Sequence, residues 1–419
     1  GRVVDPRASV GALAPEPGED LKLTLDVELQ KYIHEVFPDS MKGAVVAMVP
    51  STGEILAMYS HPTYDPNDFV GGIRSSLWAA LREDSMIPLL DRTTIALYPP
   101  ASTFKTATAA MGIREGILTA ETRMPIACNG GMAYAGRYSR CWKRSGHGSL
   151  TLPEAIEQSC NVYFYQVGIR LGLKKVIEEG TRMGLTRRTG IDLPAERSGI
   201  YPTEVPWYQR RFNTPAVPSD VMALAIGQGP NSQSVLRMAY LYSAIAGDGS
   251  APEPHLAANV RLAAANSTDP GEIDLGMTPD QLAILWEGLR LVTESRGTAV
   301  QSSLERYKLY GKTGTAQNAG ADHAWFVGFA GVPGRNPDIT VAVIVEHGLH
   351  GDAAAPLAAK VANFYLDRKY GQPFDPIPTW GERVRAGRLW EFDPPGRRLV
   401  PPTSTRRAQP ASAAPAKTR

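Results

Sequence analysis

Two adjacent prolines, Pro99 and Pro100, end any element that precedes them, because proline has no backbone N–H and does not continue a helix. The residues that follow, 101–111, are rich in alanine, which has the highest helix propensity. The sequence therefore predicts a helix that begins here, with Ser102 in its first turn. Lys105 follows three residues later and lies on the same face of that helix.

Ser102 and Lys105 together have the elements of nucleophilic catalysis. A serine hydroxyl becomes a nucleophile when a base accepts its proton, and a lysine amine with a lowered pKa can do so. A helix N-terminus adds backbone N–H groups and a positive dipole end that stabilise an oxyanion. The same spacing also occurs in ordinary solvated helices, so this motif alone does not establish a catalytic site.

The composition sets broad limits on fold and partners. A length of 419 residues predicts two or three structural units, and 44 basic against 42 acidic residues do not favour a nucleic acid as partner. No run approaches the roughly 20 apolar residues of a membrane span, and the first residues do not resemble a secretory signal. Gly1 is not an initiator methionine, so we expect further sequence before it.

Apolar periodicity predicts an α+β sandwich. Residues 26–37 form a predicted helix capped by Asp26, and the apolar runs 43–49 and 54–60 flank a Pro-Ser-Thr-Gly turn typical of a β-hairpin. A helix followed by a hairpin indicates helices that cover an antiparallel sheet. Further strands are predicted at 309–315, 324–330 and 339–346, and further helices at 77–90, 278–293 and 353–366.

Two helices are predicted around a polar turn. Thr151 caps the first, which runs toward Ser159, and the second resumes after Asn161. Residues 186–217 contain several prolines and arginines and are predicted to form a loop.

The end of the chain differs in composition from the rest. From residue 371 onward prolines and arginines dominate and no apolar period survives, which predicts a mobile or surface-lying tail. Trp380, Trp390 and Phe392 are exceptions, because such side chains usually pack. We therefore expect an N-terminal arm over 1–20, one domain over 21–370 and the tail over 371–419.

Two further short motifs accompany the first one. Ser159-Cys160-Asn161 lies in the predicted turn between helices, and Lys312-Thr313-Gly314-Thr315 lies in a predicted strand. Gly311 and Gly314 are predicted to let a ligand backbone approach that strand. Ser-x-x-Lys, Ser-x-Asn and Lys-Thr-Gly in this order form the signature of penicillin-binding proteins and serine β-lactamases. Each motif alone is common, but the ordered trio predicts a catalytic serine.

Residues 20–370 resemble the transpeptidase domain of class B penicillin-binding proteins, above all the penicillin-binding protein 2 group of the elongation machinery. The resemblance is carried by Leu23-Thr24-Leu25-Asp26, Tyr64-Asp65-Pro66-Asn67, Tyr98-Pro99-Pro100, Gly146-His147-Gly148, Thr189-Gly190-Ile191-Asp192-Leu193, Gly227-Gln228-Gly229, Arg296-Gly297-Thr298-Ala299 and His323-Ala324-Trp325-Phe326. It implies that family's fold, a central antiparallel sheet covered by helices with a mostly helical subdomain. It also implies a peptidoglycan D,D-transpeptidase at the periplasmic face of the bacterial inner membrane, anchored by a span that precedes this sequence.

The resemblance assigns catalytic roles to four residues. Ser102 would attack the carbonyl between two terminal D-alanines of a stem peptide and form an acyl-enzyme. Lys105 would be the base, kept neutral by burial and by nearby cations. Ser159 would relay a proton to the leaving amine, and Asn161 would bind the substrate backbone or Lys105.

The strand motif would bind substrate. Lys312, with Thr313, Gly314 and Thr315, would hold the terminal carboxylate, a role suited to a fixed positive charge with hydroxyl donors. The backbone N–H groups of Ser102 and Thr315 would form the oxyanion hole. Two apolar neighbours in the next strand, Trp325 and Phe326, are expected in the core or in a groove wall.

Three cysteines, Cys128, Cys141 and Cys160, bracket His147. Their odd number excludes complete pairing in disulfides within the chain. Some members of the resembled group carry a zinc ion near the active site, bound by acidic, His and Cys ligands, and Cys128 and Cys141 stand at the positions of the acidic ligands. The resemblance thus implies a structural Cys₃His zinc site. A disulfide between two of these cysteines and simple burial of Cys160 remain alternatives. No organic cofactor is expected.

Two other functions share the three motifs. A serine β-lactamase hydrolyses its acyl-enzyme rapidly, but no additional glutamate for that step is identifiable in the sequence. A β-lactam sensor or a scaffold would be acylated without turnover. The expected ligands are peptidoglycan stem peptides and β-lactam antibiotics, and the resemblance implies a membrane glycosyltransferase as a partner.

Overall fold

The computed structural model describes residues 18–259, 272–294, 296–318, 320–351 and 353–387. The helices in these residues are α1 (Val27–Val36), α2 (Ser75–Glu83), α3 (Lys105–Arg114), α4 (Leu152–Glu157), α5 (Asn161–Leu171), α6 (Leu173–Arg182), α7 (Trp207–Phe212), α8 (Asp220–Ala225), α9 (Val235–Ala246), α10 (Pro279–Thr293), α11 (Ala355–Lys369) and α12 (Trp380–Arg385). The strands are β1 (Lys42–Met48), β2 (Ile55–His61), β3 (Gly131–Tyr134), β4 (Arg137–Arg140), β5 (Ser250–Ala251), β6 (Ile273–Asp274), β7 (Lys308–Ala316), β8 (His323–Gly331) and β9 (Ile339–Glu346). Short 3₁₀ helices lie at Pro66–Phe69, Ala101–Phe104 and Val300–Ser302.

Five strands form the central sheet in the order β2-β1-β9-β8-β7, and every neighbouring pair is antiparallel. The predicted hairpin forms β1 and β2, the strand predicted at 309–315 forms β7, and the two later apolar runs form β8 and β9. Because β1 pairs with β9, the two ends of the domain meet in the middle of the sheet. The predicted antiparallel sheet covered by helices is confirmed.

Helices cover both faces of this sheet. α1 and α11 pack against each other and against the sheet, while α9 contacts β1, β8 and β9. All twelve residues of α9 are buried, as expected for a helix enclosed between the sheet and other helices. At the start of α1, the carboxylate of Asp26 accepts a hydrogen bond from the Leu29 N–H, as the sequence predicted.

A mostly helical part adjoins the β7 edge. α10 packs on both β7 and α4, and α5 contacts α3, α6 and α8. The predicted helix over 278–293 is α10, capped by Thr278, with Leu282, Leu285 and Leu289 all buried. The active-site candidates lie where this helical part meets the sheet.

Two segments depart from the predicted loops and helices. The predicted loop 186–217 contains the short helix α7, which begins directly after Pro206. The predicted helix 77–90 is shorter, because α2 ends at Glu83. None of the described helices combines the length and the apolar character needed to cross a membrane.

The first part of the predicted tail packs on the domain. α12 is capped by Thr379, and the Trp380 N–H donates to the Ser303 carbonyl at 3.0 Å. Arg383 is buried and pairs with Asp375 at 2.6 Å. Residues 388–419, with Trp390 and Phe392, lie outside the described residues.

Candidate active site

Ser102 lies on the 3₁₀ turn Ala101–Phe104, which leads directly into α3. The turn is attached to the segment before α9, because the Ala101 N–H donates to the Gly227 carbonyl at 2.9 Å. Ala101 has a φ of +49°, a left-handed conformation that costs energy for a residue with a side chain. Ser102 is half-buried, and its carbonyl accepts a hydrogen bond from the Lys105 N–H.

Gly227 allows this attachment. Its φ is +72°, and an added Cβ would lie 2.2 Å from the Ala101 carbonyl oxygen and 2.6 Å from the Phe104 Cβ. No side chain fits at this position without displacing the backbone beside Ser102. The Gly-Gln-Gly segment is therefore a structural support of the serine turn.

Lys105 is completely buried and forms the centre of the site. Its Nζ donates to the Ser159 carbonyl at 2.8 Å, to the Ser159 Oγ at 3.1 Å and to the Asn161 Oδ1 at 2.6 Å. Burial lowers the pKa of Lys105 to about 8, although the Cys141 and Cys160 thiols act in the opposite direction. The amine therefore loses its proton far more readily than an exposed lysine.

Ser159 and Asn161 lie in the turn between α4 and α5. Thr151 and Glu154 form a capping box at the start of α4, as predicted from the sequence. Ser159 is buried and has a φ of +52°, so the turn is held in a conformation unusual for serine. Asn161 begins α5, with its side-chain carbonyl directed to Lys105.

The Lys312-Thr313-Gly314-Thr315 segment lies in β7 beside the serine turn. An added Cβ on Gly314 would lie 3.1 Å from the Pro100 carbonyl oxygen and 3.1 Å from the Thr103 Cγ2. The absence of a side chain at Gly314 therefore serves the packing of the strand on the serine turn. At Gly311 an added Cβ would meet the Phe326 ring at 2.2 Å, so this glycine is required by the sheet itself. The expectation that Gly311 admits a ligand backbone is replaced by this packing role.

Lys312 is completely buried, and its Nζ donates to the Thr313 carbonyl at 3.1 Å. Burial lowers the pKa of Lys312 well below its usual range, and the charge of Lys105 lowers it further. The Thr313 hydroxyl lies 2.6 Å from the Thr298 hydroxyl, while Thr315 is half-buried.

Two aromatic side chains support the backbone around Ser102 through hydrogen bonds that the sequence did not predict. The buried Tyr242 hydroxyl donates to the Thr103 carbonyl at 2.8 Å and lies 2.9 Å from the Thr106 hydroxyl. The Trp325 indole N–H donates to the Pro99 carbonyl at 3.0 Å. These two hydrogen bonds hold the backbone on either side of Ser102. Trp325 and Phe326 are buried in the core, as expected.

The three cysteines and His147 come together beside the Ser159 turn. Their ligand atoms all lie within 4.8 Å of one another, and the described cysteines form no disulfide. His147 Nδ1 lies 3.5 Å from both the Cys128 and the Cys141 sulfur. In a tetrahedral site with Zn–S of about 2.3 Å and Zn–N of about 2.0 Å, the nitrogen–sulfur separation is about 3.5 Å. The donor set and its spacing therefore fit zinc.

The electrostatics of this cluster also suit a metal ligand set. Hydrogen bonds from Cys160, from His147 and from the Asn161 N–H together lower the pKa of the Cys141 thiol well below its usual range, although burial acts in the opposite direction. The hydrogen bond with Cys141 raises the pKa of Cys160. A thiolate at Cys141 is thus stabilised one hydrogen bond away from the turn that carries Ser159 and Asn161, since the Asn161 N–H donates to its sulfur at 3.3 Å.

Solved structures of known proteins share this fold and arrangement of elements. The structure of Pseudomonas aeruginosa PBP2 in complex with WCK 5153 superposes with a TM-score of 0.77 at 33% identity, over 86% of this chain and 78% of the other. Helicobacter pylori PBP2, solved in a complex with MreC, gives a TM-score of 0.75 at 33% identity, over 84% of this chain and 64% of the other. The fold is thus that of the penicillin-binding proteins.

The family model of the penicillin-binding protein transpeptidase domain matches residues 43–363. The chain therefore belongs to the penicillin-binding protein transpeptidase family. Its relatives include the peptidoglycan D,D-transpeptidase MrdA of Acinetobacter baumannii, 33% identical over 88% of this chain, and that of Escherichia coli K12, 33% identical over 87%. The predicted resemblance to the penicillin-binding protein 2 group is confirmed. The chain spans 57% and 60% of the length of these two relatives.

Proposed function

We propose that this chain is the catalytic domain of a peptidoglycan D,D-transpeptidase that cross-links stem peptides through a serine acyl-enzyme. The observation that carries the proposal is the buried Lys105 amine, bonded to both Ser159 and Asn161 and placed three residues from Ser102. The names of the MrdA relatives support the same reaction.

In the acylation step Ser102 Oγ attacks the carbonyl carbon between the two terminal D-alanines. Lys105 in its neutral form accepts the hydroxyl proton, which a pKa of about 8 permits near neutral pH. The tetrahedral intermediate then expels the last D-alanine, whose amine takes a proton through Ser159, the residue already bonded to Lys105. The product of this step is an ester between Ser102 and the shortened stem peptide.

In the second step the amine of another stem peptide attacks the ester. Its proton returns to the Lys105–Ser159 pair, a new peptide bond forms and the Ser102 hydroxyl is restored. In the first step, before the last D-alanine leaves, its terminal carboxylate is bound by Lys312 with the Thr313 and Thr315 hydroxyls. The Ser102 and Thr315 N–H groups stabilise the oxyanion.

The test is labelling with a fluorescent penicillin, followed over time in the unmodified chain and in Ser102→Ala. The proposal predicts labelling that depends on Ser102 and is lost slowly. Absence of labelling in the unmodified chain would contradict the acyl-enzyme. Rapid loss of label would indicate a β-lactamase, and slow loss without D-alanine release from a pentapeptide would indicate a sensor or scaffold.

We also propose that Cys128, Cys141, His147 and Cys160 hold a structural zinc ion. When bound, zinc supplies a rigid cross-link between the 128–147 segment and the turn that carries Ser159 and Asn161. Metal analysis of the purified protein is expected to give one zinc per chain, which a Cys128→Ser variant loses. A metal-free protein with free thiols or one disulfide would refute the site.

The proposed setting is the periplasmic face of the bacterial inner membrane, with β-lactams as inhibitors. A membrane glycosyltransferase of the elongation machinery is the proposed partner. Supporting observations are a Helicobacter pylori PBP2 solved with MreC and a related structure described as a peptidoglycan synthase complex that coordinates polymerization and crosslinking. Co-purification of the natural protein with such a glycosyltransferase from bacterial membranes tests this proposal.

A further inference from the structure

An unusually basic segment borders the candidate active site. Residues 137–144, here called the cationic segment, include β4 and contain Arg137, Arg140, Lys143 and Arg144. All four side chains are exposed. No acidic residue occurs between Glu121 and Glu154, although basic and acidic residues are almost balanced in the whole chain.

In the part of the chain that the structure describes, these four cations have no acidic partner. Among the described residues, no carboxylate lies within 4.0 Å of any of them, whereas the nearby Arg123 pairs with Glu154 at 3.7 Å. An exposed cation usually needs no partner, since water solvates it well. Four of them in eight residues, next to a reaction centre, create a positive potential that attracts anions.

The segment is attached directly to the catalytic turn. The Trp142 indole N–H donates to the Gln158 and Ser159 carbonyls, both at 3.1 Å. The Ser159 carbonyl is the same oxygen that accepts from Lys105 at 2.8 Å. Asn161 Nδ2 in turn donates to the Arg140 carbonyl at 3.4 Å. The segment therefore has a fixed position relative to the site.

The same segment presents aromatic surface to solvent. Trp142 is 57% exposed although its indole N–H is fixed, and Tyr138 is 60% exposed. The Trp142 ring packs against His147, with ring centroids 5.3 Å apart and the rings tilted by 60°. Exposed aromatic faces between guanidinium groups suit a peptide ligand that carries carboxylates, because arginine binds carboxylates through two parallel hydrogen bonds.

We propose that the cationic segment binds free carboxylates of the peptide substrate upstream of the bond that Ser102 attacks. The buried Lys312 serves the single terminal carboxylate inside the site, so carboxylates on earlier residues of the peptide lie outside it. The enzyme then prefers stem peptides that carry free carboxylates before the two terminal D-alanines over the forms in which these carboxylates are amidated. This inference rests on the proposed function and specifies its substrate.

The test compares two synthetic stem pentapeptides, one with these carboxylates free and one with them amidated. D-alanine release gives kcat/KM for each, and penicillin labelling reports the integrity of Ser102 and of the fold. The test variant combines R137Q, R140Q, K143Q and R144Q. The control variant combines K174Q, R188Q, R210Q and R211Q, which removes the same charge from exposed positions on and around α6 and α7.

Because exposed charge pairs are individually weak, we expect each single substitution to act about twofold and the combined variant roughly tenfold. The loss in kcat/KM is expected for the free peptide only, as a rise in KM, with penicillin labelling unchanged. The control variant keeps the preference for the free peptide. In the unmodified protein, high salt reduces the preference, a measurement that does not depend on the folding of any variant.

Equal loss for both peptides, or no loss for either, would overturn the inference while penicillin labelling remains intact. Equal loss would instead indicate that the cationic segment contacts a feature that the two peptides share. A preference that is insensitive to salt in the unmodified protein would also overturn it. Failure of the unmodified chain both to label and to release D-alanine would refute the proposed function itself.

Discussion

Lys105 Nζ lies 2.6 Å from Asn161 Oδ1, and this bond connects the first residue of α3 to the first residue of α5. A neutral amide holds the amine in place without adding a negative charge to it. The pKa of Lys105 therefore remains lowered by burial, at about 8. The Asn161 amide thus sets the position of the proposed base, and burial sets its pKa.

Asn161→Asp is expected to separate these two features. The substitution keeps the shape of the side chain but places a carboxylate beside Lys105, and an opposite charge at this distance raises the pKa of an amine by about 1–3 units. Acylation by penicillin at pH 7 should fall roughly tenfold or more and recover at higher pH. The pH profile of acylation measures the shift, with Asn213→Asp, on the exposed end of α7, as the control. An unchanged profile would argue against Lys105 as the base.

Lys105→Met is expected to abolish acylation and to change how stability depends on pH. The folded-state pKa of about 8 lies below the unfolded value of 10.5, so between these values the unfolded chain holds a proton that the folded chain has released. The free energy of unfolding of the unmodified protein, relative to the variant, therefore rises from pH 8 to pH 10.5, by on the order of 3 kcal/mol. Urea denaturation at several pH values measures the difference. A flat difference across this range would show that the amine is not desolvated.

Gly227→Ala should disrupt the serine turn. The added methyl group meets the Ala101 carbonyl oxygen at 2.2 Å, and the left-handed backbone adds a cost of about 1–2 kcal/mol. We expect a loss of stability above about 3 kcal/mol together with loss of penicillin labelling.

Gly229→Ala is the matched control for this change. Its φ is +71°, but the nearest heavy atom to an added Cβ is the Ala223 Cβ at 3.5 Å. In thermal or urea unfolding, this variant should lose only the stability that the left-handed backbone conformation costs. It should retain penicillin labelling. Equal damage in both variants would mean that backbone conformation alone, and not the contact with Ala101, explains the requirement for glycine.

Thr298→Val should impair substrate binding with little effect on the fold. The Thr298 hydroxyl lies 2.6 Å from the Thr313 hydroxyl and fixes the orientation of this proposed carboxylate ligand. One such hydrogen bond contributes about 1 kcal/mol, so we expect a drop of roughly tenfold or less in acylation rate at low penicillin concentration. Thr298→Ser keeps the hydroxyl and should restore most of the rate. Normal acylation kinetics in Thr298→Val would show that the Thr298 hydroxyl does not contribute to substrate binding.

The sequence identified residues whose chemistry is tied to a fixed local spacing. Ser102 and Lys105 are three residues apart on one turn, and Ser159 and Asn161 share another, so short motifs were sufficient to find them. The strands β8 and β9 were predictable because each is a largely apolar run and a clear turn separates them. The ordered motifs then identified the family, which the fold and the comparisons bear out.

Contacts between distant parts of the chain had no such signal. Trp142 reaches the Ser159 carbonyl and Tyr242 reaches the Thr103 carbonyl only after folding, and nothing in their local sequence indicates these partners. Gly311 was predicted to let a ligand approach the strand. A glycine in a strand indicates that another group lies close to the backbone, but the sequence does not show which group this is. In this structure it is the Phe326 ring.

The most direct test of the central claim is mass spectrometry of the protein after reaction with penicillin, with peptide mapping of the adduct. The account predicts one adduct per chain, located on Ser102, that is absent in Ser102→Ala and forms faster as the pH rises from 6 to 8. An adduct on another residue, or acylation of Ser102 that is unaffected by removal of the Lys105 amine, would contradict it.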